Sequence, residues 1–160
     1  MYGNERLPGV AVSDTYRYKG SIWQGAPEAS WFQTVSVNGE GEEGAAIKEG
    51  TIMKQLEDGS FTPIAESDIV SLVADLPGVR LVIVADKTAK TGTTTTTGEG
   101  DDTVTESTPS SVLAGFSGKV DKNRLYVGEK LFTELTYAQQ IGLNLQLEAW
   151  NFMLVNVIQA

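Results

Sequence analysis

The sequence predicts an α+β fold: a small mixed domain rich in short β-strands with one principal C-terminal helix, preceded by an extended N-terminal arm. Three observations carry this. Between Thr136 and Ala149 apolar residues recur at spacings of three and four, the signature of one helix face. Much of the remaining chain consists of short branched or alternating runs bounded by glycine, which read as strands. The first 32 residues hold six of the thirteen aromatics but few aliphatics, and show no helical period.

Residues 1–44 read as the arm and a linker, and 45–160 as the domain. Aromatic side chains without aliphatic neighbours can adhere to a surface but build a core poorly. The rings of Tyr2, Tyr16, Tyr18, Trp23, Trp31 and Phe32 therefore either cover the main domain of their own chain or bury against a partner. In the second case Tyr16, Tyr18, Trp23, Trp31 and Phe32 are the candidate anchors, because aromatic anchors commonly carry binding energy. Trp31 to Val37 predicts a short strand with Trp31, Val35 and Val37 on one face and Gln33 breaking the pattern. Asn38 to Gly44 concentrates glycine and like charge, as a linker does.

Beyond Ile47 the pattern becomes regular. Thr51–Leu56 and Ser60–Ile64 flank Asp58-Gly59, a dipeptide suited to the positive φ angles of a tight hairpin. Ser67 is placed to cap a short helix with Ile69, Leu72, Val73 and Leu76 on one face, stopped by Pro77-Gly78. Arg80 to Ala85 is a near-continuous apolar run, expected of a central strand. Residues 88–110 predict a flexible Thr/Gly-rich loop, since Thr91 to Thr103 lacks any large apolar side chain to offset the entropy of ordering. The β-branched threonines leave a loosely paired β excursion open. Val112–Phe116 and Lys119–Val127 read as strands broken by Gly115 and Gly118, with a turn at Asp121-Lys122-Asn123. In the final helix Ala138, Ile141, Leu145 and Ala149 form one stripe, extended backwards by Leu135, and Thr136 with Gln139 has the form of a capping box. Phe152 to Ile158 closes the chain as a strand buried on at least one face.

Composition narrows the chemistry. A chain of 160 residues suffices for one domain with a core and an arm. Twelve Lys and Arg against 21 Asp and Glu give a net charge of −9, which disfavours nucleic acid and anionic membranes alike. Cysteine and histidine are both absent, removing disulfides, thiolate nucleophiles, the usual transition-metal ligands and the side chain best suited to proton transfer near neutral pH. The first residues lack the apolar core of a secretory signal, and no run of about 18 apolar residues occurs.

Carboxylates remain as a route to catalysis or calcium binding. Glu99, Asp101, Asp102 and Glu106 cluster in sequence, as do Glu40, Glu42 and Glu43. Both clusters lie in glycine-rich segments, whereas catalysis needs groups held to within about half an ångström; solvated charge is the expected role. EF-hand spacing is absent. Gly115-Phe-Ser-Gly-Lys119 lacks the spacing of a phosphate-binding loop and reads as a strand bend.

The order of elements resembles a family. A hairpin ends in Gly59-Ser-Phe-Thr-Pro-Ile64, and the strand Leu81-Val-Ile-Val-Ala-Asp86 follows. After a variable Thr/Gly loop comes Val112-Leu-Ala-Gly-Phe-Ser-Gly-Lys-Val120, then Asn123-Arg-Leu-Tyr-Val127, an amphipathic helix and a final strand. This arrangement, over roughly Ile47 to Ile158, is similar to the lambda-type head decoration proteins of tailed bacteriophages. The resemblance implies a non-enzymatic structural protein without cofactor or metal. It would be made in the host cytoplasm and would sit on the outer surface of the capsid as a homotrimer at local three-fold positions, stabilising the expanded head. The major capsid protein would be its partner, contacted through the N-terminal arm. A long arm and the Thr-rich insertion depart from the family pattern. The alternative from another class is a virion-surface carbohydrate-binding or adhesive module, with Trp23 and Trp31 as stacking platforms.

Overall fold

The structure, a computed structural model, describes residues 22–24, 31–38, 46–85, 88–90, 93–108 and 110–157. In chain order the strands are β1 (Phe32–Val37), β2 (Ala46–Lys48), β3 (Ile52–Gln55), β4 (Phe61–Pro63), β5 (Leu81–Val84), β6 (Thr88–Lys90), β7 (Thr93–Thr97) and β8 (Val104–Thr108). They continue as β9 (Ser110–Gly115), β10 (Gly118–Asp121), β11 (Tyr126–Val127), β12 (Lys130–Leu131) and β13 (Phe152–Val155). Helix α1 spans Ile69–Ala74 and α2 spans Tyr137–Ala149. The fold is thus the expected α+β mixture of short strands with one principal helix near the C-terminus.

Five strands close into a barrel in the order β1-β4-β3-β5-β9 and back to β1. The period of two in a strand sends neighbouring residues to opposite faces, and the barrel uses both. Val35, Val37, Met53, Phe61, Val82, Val84, Val112 and Ala114 form one cluster inside it. Ile52, Leu81 and Ile83 face the other way into a second cluster with Ile64, Ile69, Leu72, Leu143, Leu147 and Phe152, beneath the two helices. All four residues of β5 are fully buried, which explains why its sequence is apolar without alternation.

The hairpin at Asp58-Gly59 is present, with β3 antiparallel to β4 and Gly59 at φ 87°. The short helix differs from expectation at both ends. A 3₁₀ turn at Glu66–Asp68 leads into it, and the capping position is Asp68 rather than Ser67. The Asp68 carboxylate accepts from the Ala65 N–H at 2.9 Å and from Lys54 Nζ at 3.0 Å. The helix ends at Ala74, so Leu76 lies past it and is exposed. Within 88–110, the paired option is realised: β7 and β8 run antiparallel from Thr93↔Thr108 to Thr97↔Val104.

The division into an arm of 1–44 and a domain from 45 needs correction. β1 belongs to the barrel wall, antiparallel to β9 along its whole length, and its Val35 and Val37 supply part of the interior. Ile22 to Gln24 also join the domain: Trp23 bridges Val120, the Gln24 N–H donates to the Lys119 carbonyl, and the Asp121 N–H donates to the Ile22 carbonyl. Residues 39–45, which include most of the expected linker, lie outside the described residues.

Helix α2 starts at the expected capping box, where the Gln139 N–H donates to Thr136 Oγ1 and the Thr136 N–H to Gln139 Oε1. Its buried side is not the expected one. Leu143, Gln146 and Leu147 face the core, while Ala138, Ile141, Leu145 and Ala149 are exposed. Two residues that apolar counting passes over determine this rotation. Gly142 lets α1 approach, since a Cβ there would stand 3.0 Å from Val73 Cγ2. Gln146 is fully buried because its Nε2 donates to the carbonyls of Pro77 and Val79, at 3.3 and 2.9 Å, and Trp150 Nε1 donates to the same Val79 carbonyl at 2.8 Å.

Two stability predictions follow from these contacts. Gln146→Leu takes the donor from the Pro77 carbonyl and leaves that of Val79 to Trp150 Nε1 alone, and urea denaturation should register a loss of about 1 kcal/mol; Leu145→Gln, one residue away on the exposed side, should stay within about 0.5 kcal/mol. For Asp68, burial raises the carboxyl pKa, and the Ala65 N–H together with Lys54 lowers it further than that, leaving it below the ordinary value. Its folded pKa lies below the unfolded value of about 3.9, so the stabilisation is present above that pH and is lost as pH falls through the folded pKa. Thermal melts should therefore show a smaller fall in Tm from neutral pH into strong acid for Asp68→Asn than for the natural chain.

Candidate functional site

The five aromatic anchor candidates fare differently. Trp23 is 3% exposed and lies in the core beneath the helices. Its ring rests on Gly115, where any side chain would collide with it, and meets Phe32 edge-on with centroids 4.9 Å apart. Phe32 is partly buried against the same cluster. Trp31 is half-buried, its ring over Gly118, a residue at φ 128° that leaves the space a side chain would fill. Tyr16 and Tyr18 lie outside the described residues. Of the two readings of these rings, coverage of their own domain describes Trp23 and Phe32. A partner cannot reach the Trp23 ring in this conformation, and a sugar cannot stack on it.

Glu99, Asp101 and Asp102 are exposed around a 3₁₀ turn at Gly100–Asp102, Glu106 lies in β8, and Glu40, Glu42 and Glu43 are outside the described residues. Among the described residues no three acidic side chains come together in a way that could hold a metal ion. Asp121, the one carboxylate buried among them, caps the 3₁₀ turn at Lys122–Arg124 by accepting from the Asn123 N–H and Nδ2, both at 3.1 Å. The segment from Gly115 to Lys119 is the bend between β9 and β10, as expected.

Among the described residues two open surfaces stand out. The first is the outer side of α2, where Ile141 and Leu145 are each 45% exposed and Tyr137, Ala138 and Ala149 lie beside them. Glu148 is the only Asp, Glu, Lys or Arg in this 13-residue helix. On α1, Val70 is likewise exposed. Apolar counting located the stripe correctly but assigned it to the core.

The second is a cleft at the barrel seam. β1 and β4 share a single parallel register pair, Val37↔Phe61, so the wall is barely closed there. A cleft of about 430 Å³ lies between Gln33 to Ser36 of β1 and the hairpin, with Gln55, Asp58, Ser60 and Phe61 on the hairpin side and Phe116 at one end. Phe61 and Phe116 meet edge-on, centroids 6.1 Å apart. Arg80 lies over the Phe116 ring at 5.0 Å and donates from Nη2 to the Phe116 carbonyl at 2.6 Å. Asp58, on the rim, accepts from the Ser60 hydroxyl and the Ser60 N–H, which hold its carboxyl below the usual range. Its repeated polar residues gave no sequence signal, because the cleft arises from two strands that diverge after one pair.

No family model, curated protein or solved structure matches this chain. Trp23→Ala should cost about 3–5 kcal/mol in denaturant melts, as expected for an enclosed aromatic. A drop below about 1 kcal/mol would return Trp23 to the role of an exposed anchor.

Proposed function

We propose that the protein is a structural, non-enzymatic component of a tailed-phage virion that binds the outside of the capsid, as a homotrimer, and stabilises the expanded head. The observation that carries this reading is the outer face of α2. A chain of net charge −9 repels its own copies over most of its surface, yet this face is apolar and holds a single carboxylate. It is where copies can meet without stacking like charge, and burying Ile141 and Leu145 there would recover hydrophobic free energy that the isolated chain leaves unused. The element order described above supports the family assignment, and the lack of cysteine and histidine is consistent with a role that needs no reaction chemistry.

In this reading the capsid contact belongs to the residues ahead of Ile22, with Tyr16 and Tyr18 as anchors. Trp23, Trp31 and Phe32 act one step back, fixing the root of that segment to the domain. Many copies on a repeating lattice compensate for a weak individual contact.

The test has two arms. Sedimentation equilibrium should give a trimer for the natural chain, and a shift to monomer for Ile141→Glu combined with Leu145→Glu, with an unchanged melting profile. Co-sedimentation with emptied, undecorated expanded heads should retain the full chain and lose a form lacking residues 1–21. A monomeric natural chain would remove the helix face from the proposal, and failure of the full chain to bind heads would remove the capsid.

A further inference from the structure

We propose that the seam between β1 and β4 is a binding site for an extended peptide segment, which adds to the free edge of β1 as a further strand and prefers basic and apolar residues in alternation. The site stands apart from α2 and does not depend on the capsid reading.

In an antiparallel pair, alternate residues turn their N–H and C=O towards the partner strand and the others turn them away. The Phe116 N–H donates to the Trp31 carbonyl at 2.7 Å, so the odd-numbered residues of β1 face β9. The even-numbered residues face the seam, and the Asn38 N–H accordingly donates across it to the Phe61 carbonyl at 2.8 Å. Beyond Val37↔Phe61 no ladder pair continues on that side among the described residues. The main-chain donor and acceptor of Thr34 thus point into the cleft, with the exposed side chains of Thr34 and Ser36 beside them. An unpaired strand edge of this kind is a template for strand addition.

The lining defines which peptide fits. Phe116, half-buried, offers an apolar contact at one end of the cleft for a side chain of an extended segment, while Val35 and Phe61 back the cleft from the barrel core with little exposure of their own. Asp58 is the only charged residue lining the cleft; its carboxylate accepts from Ser60, it makes no ion pair among the described residues, and Arg80 at the other end is engaged with the ring and carbonyl of Phe116. That selects lysine or arginine over acidic residues in the segment, as does the charge of the whole chain. A saccharide would use the amides of Gln33 and Gln55, but it has no use for a strand edge, and Arg80 already occupies one face of the Phe116 ring.

The test uses the full ¹⁵N-labelled chain, titrated with a synthetic peptide of alternating lysine and valine, a matched peptide of alternating glutamate and valine, and a neutral oligosaccharide. The lysine peptide should shift the amide resonances of Thr34 and Ser36 saturably, and the Thr34 amide should exchange freely with solvent before addition and slowly after it. Thr34→Pro removes the N–H that faces the cleft while sparing the ladder to β9, a placement proline tolerates on an edge; it should weaken binding about tenfold, the equivalent of one lost hydrogen bond. Asp58→Asn should reduce the preference for lysine over glutamate. The hydrogen-exchange comparison in the natural chain decides the matter even if the proline variant folds poorly. Slow exchange at Thr34 in the free protein, equal binding of both peptides, or shifts caused by the oligosaccharide and by neither peptide would each overturn the proposal.

Discussion

Both hydrophobic clusters meet on β5, and the rest of the structure is arranged to keep that strand dry on its two faces. Val82 and Val84 need a closed barrel on one side; Leu81 and Ile83 need a helical layer on the other. Four branched or long side chains with no exposure represent about 1.5–3 kcal/mol each of burial, so neither side can be left open cheaply. The barrel side draws in β1 from a part of the chain that looks too aromatic and too sparse to fold. The helical side draws in α1, α2 and Trp23.

This dependence explains which features were readable in the residues alone. Leu81 to Val84 announce a doubly buried strand because nothing polar interrupts them, and Asp58-Gly59 announces its turn because few other pairs accept that backbone. Thr136 and Gln139 mark a helix start through hydrogen bonds that are local in sequence. Each signal sits within a few positions of the structure it specifies. The assignment of β1 to the barrel was not legible in that sense: its partners are Ser110 to Gly115, 77 positions away at Val35↔Val112, and the fit of Trp23 onto Gly115 is a matter of absent atoms. A glycine reads as a strand breaker until the ring that occupies its place is known.

The rotation of α2 carries a more general point about periodicity. Its apolar residues fall on two sides, and counting selects the side with the regular spacing of Ala138, Ile141, Leu145 and Ala149. The core selects the other, because Gly142 permits close helix approach and Gln146 supplies a donor to the Pro77 carbonyl and a second one to that of Val79, between α1 and β5. A polar residue is favoured at a buried position whenever the alternative is an unpaired main-chain group. The stripe left outside is then a property of the surface, available to a neighbour.

The β7–β8 hairpin shares its ladder with no other described strand. Its turn, from Gly98 to Thr103, connects two chains that are already in register with each other, so residues spliced in at that tip lengthen a loop without shifting any pair in the barrel. The molecule thereby carries a built-in point of attachment, where foreign sequence can be displayed while the barrel wall stays as it is.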